Sequence, residues 1–594
     1  MLNDRKGIRA SRGCRHGEQT AATGEATPGA INGYPLGNGA YNVETLTVRT
    51  GVHMADAADG RYQQQAPDET DVVVLGAGHN GLVTAAYLAR FGLRVTVLER
   101  LDHVGGAAVS EQLFPGIEAR LSAFSYLVAL MPYAVVRDLE LDLELRSRPV
   151  ASYTPVLRGG RADGLLVERR PGAATVDSFK RITGSDRDWR AWQRFYELIG
   201  KAARVIAPTM LEPMPGKGSV MKAVREACGS TFWGEFMEEP LGTIVDRTFE
   251  DDDVRGIVLT DALIGTQTWA YDPTLIQNRC FLYHVMASAS GEWRVPIGGM
   301  GAVTGSLERS AVKAGAVIRT SAEVTLVESD GRRASVLYRT PDGEHRIDAK
   351  YVAANVAPPI LAHLLGRDDT APPPEGNQLK VNLVVDRLPK LRSGIPPEIA
   401  FAGTFHVDES ETRLAAAYQE SESGRLPDPL PFEAYCHTLT DRTILSPAAA
   451  RSGMHTITLF GLHTPARLFK DEGAKDRAVK LALAGLNKYL EEPIEECLTL
   501  DAEGRPCIEA LSPLDVEARL AMPGGHIFHG DLSWPWATTS GVAGTWGVET
   551  KIPNVVLCGS GALRGGAVSG IPGRAAALSI VAQIQRRRGR ELMK

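Results

Sequence analysis

The run DVVVL at residues 71–75 is apolar without alternation, the pattern of a strand covered on both faces. From Gly81 to Arg90 the apolar positions shift to helical spacing through Leu82, Ala85, Ala86 and Ala89, and RVTVLE at 94–99 returns to a strand pattern. The chain comes back to this alternation twice. From Pro296, PIGGMGAVTGSLERSAVKAGAVIRT reads as glycine turn, helix and strand. Three strand-like runs follow it: SAEVTLVES, RRASVLYRT and HRIDAKYVAANV. They are set apart by Asp330-Gly331 and Pro341-Asp342-Gly343, both hairpin-forming. Near the end, PNVVLCGSGALRGGAVSGIPGRAAALSIVAQIQRRR reads as strand, glycine-rich loop and helix. Between these segments, Ser185 to Asp188 predicts a capping box ahead of WRAWQRFYELIGKAARVIA. There Trp189, Trp192, Phe195, Tyr196 and Ile199 form a buried stripe, and Pro208 stops the helix.

The first strand–helix–strand unit carries Gly76-Ala77-Gly78-His79-Asn80-Gly81, the glycine spacing of a dinucleotide-binding fold. Gly76 permits the tight turn, Gly78 a close approach of the phosphates, and Gly81 close packing of helix on strand. The amides at the helix start, including those of His79 and Asn80, then meet a pyrophosphate. Glu99, 18 residues past Gly81, ends the second strand where a carboxylate accepts ribose hydroxyls, which disfavours the 2′-phosphate of NADP. The doublet Gly105-Gly106, followed by Ala107, is either an ordinary loop or a return of the chain over the phosphates, as in flavoproteins of the glutathione-reductase class. The C-terminal loop decides for a flavin. Gly559, Gly561, Gly565, Gly566, Gly570 and Gly573 fall within fifteen residues, a density that calls for backbone lying flat against a ligand. The helix opening near Ile571 aims its N-terminus at the flavin O2 edge. Val324 is placed beside the adenine.

The expected fold is therefore α/β, a glutathione-reductase-type Rossmann FAD-binding domain built from three chain segments (67–149, 296–365 and 545–594). A mixed α+β substrate domain is inserted as 150–295 and 366–544. Residues 1–66, rich in Gly, Ala, Thr and Asn, read as a disordered tail. Its early arginines faintly suggest a transit peptide, and an upstream start with Met54 as the true one is an equal reading.

Bulk properties narrow the class. A chain of 594 residues predicts two to four domains, and 44% apolar with 23% charged residues is ordinary globular composition. A net charge of -6 gives no reason to expect a nucleic-acid partner. Seven scattered cysteines without a CxxC pair argue against a redox disulfide or a zinc knuckle, and no metal site is expected. No apolar run spans a membrane, and FSYLVALMPYAVV at 124–136 reads as a buried core segment. The expected location is cytoplasmic, with peripheral membrane contact and organelle import through the tail left open.

On VVVLGAGHNGLVTAAYLARFGLRVTVLERLDHVGGAAVSE, FLYHVMASASGEWRVPIGGMGAVTGSLERSAVKAGAVIRT, GGHIFHGDLSW and NVVLCGSGALRGGAVSGIPGRAAA, the chain resembles the phytoene/carotenoid desaturase-type FAD-dependent oxidoreductases. It is most similar to their branch of pyridine nucleotide-disulfide oxidoreductase domain-containing protein 2 and the long carotenoid ketolases. The resemblance implies non-covalent FAD held at Gly76, Gly78, Gly81, Glu99, Arg100, Gly105, Gly106 and Val324 and by the loop around Gly559, Gly566 and Gly570. It also implies two-electron chemistry on an apolar small molecule, here dehydrogenation of a C–C bond with hydride transfer to flavin N5. The chain departs from the family where a His-Pro pair beside the flavin has become Leu563-Arg564, and where WPWATTSG follows DLS. Arg564 is expected to face the flavin or a substrate carboxylate, with a structural ion pair as the alternative. His529 and Asp531 are candidate bases, a buried structural histidine being the alternative. With no second GxGxxG unit, oxygen or a quinone is the expected electron acceptor. A flavin-dependent ketolase or oxidase and a non-catalytic flavin-binding partner protein are the competing functions.

Overall fold

The computed structural model describes residues 67–286, 292–367 and 372–592. The expected tail at 1–66 lies outside the described residues.

A seven-stranded mixed sheet draws on three distant parts of the chain. Strand Glu69–Leu75 lies parallel to Val95–Leu98 on one side and to the long strand Gly343–Ala354 on the other. Val317–Arg319 extends the sheet beyond Val95–Leu98, and Val555–Leu557 pairs in parallel with Val352–Ala354. The antiparallel meander Glu323–Ser329, Ala334–Thr340 and Gly343–Ala354 completes it, with the two expected hairpins between the strands. The unbroken apolar pattern of 71–75 has a direct cause. Val72 and Val74 enter a core with Leu82, Leu307 and Ile580 of the helices, while Val73 and Leu75 enter another with Val336, Tyr338 and Leu361. Both faces are covered, so neither can be polar.

Helices His79–Arg90, Met300–Lys313 and Ile571–Leu592 form the covering layer. At Gly573 the last of these passes so close to the first that a Cβ would collide with the Asn80 carbonyl oxygen, and Thr84 Oγ1 donates to the Gly573 carbonyl at 3.0 Å.

A second seven-stranded sheet runs in the order 508–511, 379–385, 455–461, 432–435, 404–407, 150–158, 161–168. A helical block from Ala173 to Val285 packs around Trp192, Trp233, Phe179 and Phe281, all fully buried. Helix Arg187–Ile206 ends just ahead of Pro208, but it lacks the expected capping box. Asp188 turns away to accept from the amides of Glu250 and Asp251, and the Ser185 hydroxyl accepts from the Arg187 amide at 3.2 Å instead of capping with Asp188. The tertiary partner outcompetes the local one. Segment 124–136 is buried over most of its length and is interrupted by the exposed Tyr133 (58%), which opens a short helix after Pro132.

Gly573→Ala is expected to lower stability by about 1–3 kcal/mol through overpacking of the two helices. A fall in the apparent denaturation midpoint checks this.

Candidate functional site

The glycine loop is shaped around Asn355, the residue after strand Gly343–Ala354. Its amide nitrogen donates to the Leu75 carbonyl at 2.8 Å, and its side-chain Nδ2 lies 3.3 Å from the Gly76 carbonyl. A Cβ added at Gly76 would lie 3.1 Å from the Asn355 carbonyl oxygen; one at Gly78 would lie 2.9 Å from Asn355 Nδ2, and one at Gly559 3.0 Å from its Oδ1. Loops from the first and third segments thus close on one asparagine of the second. Gly76 itself needs a glycine's backbone freedom, at φ +93°. Gly78 precedes helix His79–Arg90 with no side-chain cap, which leaves the first-turn amides for an anion.

A cavity of about 640 Å³ runs along this loop and past it, within the ~300–1,000 Å³ usual for cofactor and ligand sites. At one end it is lined by Val324, Ile360 and His363, in the middle by Gly76, Gly78, Glu99, Arg100, Gly106 and Ala107. Glu99 is buried, its carboxylate accepting from the Ala77 amide at 2.7 Å and the Leu101 amide at 2.9 Å. The Gly105 amide donates to Ala77 at 2.9 Å, so the second glycine pair does fold back over the first loop; a Cβ at Gly106 would stand 3.2 Å from the Gly78 Cα.

The other end is a chamber lined by Phe124, Tyr126, Leu127, Ile264, Trp293 and Phe460, with His79, His284, His529, Lys380, Ser560, Ala567 and Val568. The stretch at 124–127, read from sequence as plain core, is a wall of it. Burial holds His79, His284 and His529 down to about 4, so these rings are neutral at physiological pH. The Nδ1 of His529 has no hydrogen-bond partner. Lys380, on strand Leu379–Val385, is the residue sequence reading missed. Its ammonium sits 5.4 Å from the centre of the Tyr126 ring, donates to the Ser122 carbonyl at 2.7 Å and also reaches that of Phe124. Burial presses its pKa down to about 7.

Of the other sequence candidates, several take different places. Arg564 is turned away from the cavity, and its buried guanidinium donates to the carbonyls of Thr209 (2.7 Å), Glu212 (2.6 Å) and Trp546 (3.3 Å). The loop doubles back so tightly that a Cβ at Gly565 would strike the Ser560 carbonyl, and this swings the arginine outward to close the 3₁₀ turn Ala207–Leu211. Asp531 is half-exposed and off the cavity lining. It accepts from Thr266 Oγ1 at 2.9 Å and faces His526 at 3.7 Å, which holds its carboxyl below the usual range. Gly81, Gly105, Gly559, Gly566 and Gly570 serve close packing beside the cavity rather than lining it. Asn80 is buried with both amide atoms unpaired and also stands off the lining.

The residues present fit FAD. The cavity joins an end lined by Val324 and Ile360, an uncapped helix start, a buried carboxylate beside it and a chamber with room for a ring, and Gly106 stands where a side chain would press on the phosphate loop.

Residues 74–139 match the family model of an NAD(P)-binding Rossmann-like domain. The chain is 46% identical over 532 residues to an uncharacterized protein of Mycobacterium tuberculosis, covering 87% of this chain and 98% of the relative. It is 30% identical over 569 residues to pyridine nucleotide-disulfide oxidoreductase domain-containing protein 2 of Mus musculus, covering 88% and 94%. A limonene dehydrogenase subunit of Castellaniella defragrans is 27% identical over 311 residues, 49% of this chain and 52% of that one. Fold and site define an FAD-binding oxidoreductase of α/β architecture. Within that class, the chain belongs to the family of pyridine nucleotide-disulfide oxidoreductase domain-containing protein 2. Among the described residues no helix is long and apolar enough to cross a membrane.

Glu99→Ala removes a charged acceptor and is expected to weaken FAD binding about 10–100-fold, read by quenching of flavin fluorescence. Arg564→Met leaves three carbonyls without their donor. It is expected to cost about 1–3 kcal/mol of stability with FAD affinity unchanged, read by thermal melting beside the same titration.

Proposed function

We propose that the protein dehydrogenates a C–C bond of a largely apolar small molecule. The observation that carries this reading is the continuity of one cavity, which passes from the dinucleotide loop into a chamber walled by Phe124, Tyr126, Leu127, Ile264, Trp293 and Phe460. Such a wall orients an apolar substrate and excludes water. The likeness over half the chain to a protein named as a limonene dehydrogenase supports an apolar substrate. FAD, when bound, would supply the acceptor for the hydride, which carries both electrons that dehydrogenation releases.

The chain's own part in the chemistry is to take the proton. His79, His284 and His529 have their basicity suppressed by burial, whereas Lys380 is balanced between amine and ammonium near neutrality, the most effective setting for a general base. As a neutral amine, Lys380 receives the proton lost from carbon. Carbonyls of Ser122 and Phe124 then hold the ammonium. No second nucleotide-binding loop is present in the sequence, so re-oxidation falls to oxygen or a quinone.

Anaerobic mixing of the holoenzyme with an extract of apolar metabolites is expected to bleach the flavin and yield a product two mass units lighter. A gain of 14 or 16 instead identifies the ketolase or oxidase chemistry, and absence of bleaching with every extract removes the enzymatic reading. Because Lys380 acts deprotonated, the reduction rate is expected to rise with pH through about 7. Lys380→Met should flatten that rise and slow reduction by about 10²–10⁴-fold, whereas His529→Asn should leave the rise in place. Stopped-flow flavin absorbance between pH 5.5 and about 9 measures both.

A further inference from the structure

Behind the chamber lies a second buried space of about 50 Å³, which shares Tyr126, Leu127, Ile264, His284 and Trp293 with it as a common wall. One water needs about 10–15 Å³ on this measure, so the space is large enough for an ion with further ligands. Strands Thr404–Val407 and Phe432–Tyr435 are antiparallel neighbours with His406 opposite Glu433, which puts both side chains on one face of the sheet. The turn after Val407 brings Glu409 back to them. His406 Nδ1 stands 2.5 Å from the Glu409 carboxylate and 3.8 Å from that of Glu433, and one donor atom from each residue lies within 4.8 Å of the other two.

Two further observations mark a ligand rather than a self-contained cluster. Glu409 Oε1 has no hydrogen-bond partner although that side chain is wholly buried. Ser152, 4% exposed and lining the same space, also has an unpartnered hydroxyl. Charge points the same way. Arg148 lines the space as well, and one guanidinium does not balance the two buried carboxylates of Glu409 and Glu433. Burying that many carboxylates calls for cations or protons.

We propose that His406, Glu409 and Glu433 bind one divalent cation of the manganese, iron(II) or zinc type. An imidazole with two carboxylates is the donor set these ions share, and three protein donors leave coordination positions free. On the reading of the chamber as the substrate site, the cation lies across the shared side chains of Tyr126, Leu127, Ile264, His284 and Trp293 from the substrate. The sequence carries no ligand-spacing motif here, because Glu433 comes from a separate strand.

The test uses the FAD-loaded full chain, stripped of metals with a chelator and titrated with Mn²⁺, free Mn²⁺ being counted by its six-line EPR signal. The wild type is expected to take up one Mn²⁺ per chain and to release it to Zn²⁺. Glu409→Gln and Glu433→Gln, nearly isosteric, are each expected to weaken binding at least about tenfold at an unchanged flavin-to-protein ratio. Failure of the wild-type holoenzyme to bind Mn²⁺ or Zn²⁺ at millimolar concentration overturns the proposal, as does wild-type binding by the double variant. Neither count involves a substrate, so a wrong dehydrogenase reading shows separately, as failure of the flavin to bleach.

Discussion

The architecture depends on how closely backbone can approach Asn355. This side chain sits at the end of the longest strand of the cofactor sheet, and glycines of two other segments, Gly76, Gly78 and Gly559, come within van der Waals reach of it. Each contact is possible because no Cβ intervenes. The amide bridges what would otherwise be unpaired loop backbone, and the loop in turn leaves the helix start at His79 uncapped. Phosphate recognition is therefore a tertiary property of three segments rather than a local property of a glycine motif.

The cavity that follows is graded in polarity. Around the nucleotide loop it offers amides and the buried carboxylate of Glu99; in the chamber it offers aromatic and aliphatic walls; behind Tyr126 and His284 a second space is lined by charged groups. Glu433 is pushed up to about 8 by burial and by Glu409, and Glu409 is likewise raised. Lys380 is shifted in the opposite sense by the same low dielectric. Groups so displaced from their solution behaviour collect where chemistry is done.

Much of the cofactor-binding sheet was legible in the primary structure because its signals are local. Apolar runs such as Val72–Leu75, the turn at Asp330-Gly331 and the glycine spacing are each contained within a few residues. The second sheet was not, since its strands pair across hundreds of residues, as Thr404 does with Ser152. Misreadings arose where a distant partner won. Asp188 abandoned a capping box for the amides of Glu250 and Asp251, and Arg564 left the flavin side for the carbonyls of Thr209 and Glu212. Lys380 gave no signal, because a lysine within the strand Leu379–Val385 reads as solvent-facing until the fold covers it.

Construction from three segments also sets a timetable for synthesis. The strand Glu69–Leu75 leaves the ribosome about 480 residues before its sheet neighbourhood is completed by Val555–Leu557. At translation speeds of about 5–20 residues per second, that interval is roughly 25–100 s. Throughout it the nascent phosphate loop lacks Ser560, Ala567 and Val568, so the cavity is complete only once these residues have been made, and the apolar strand needs shelter until then.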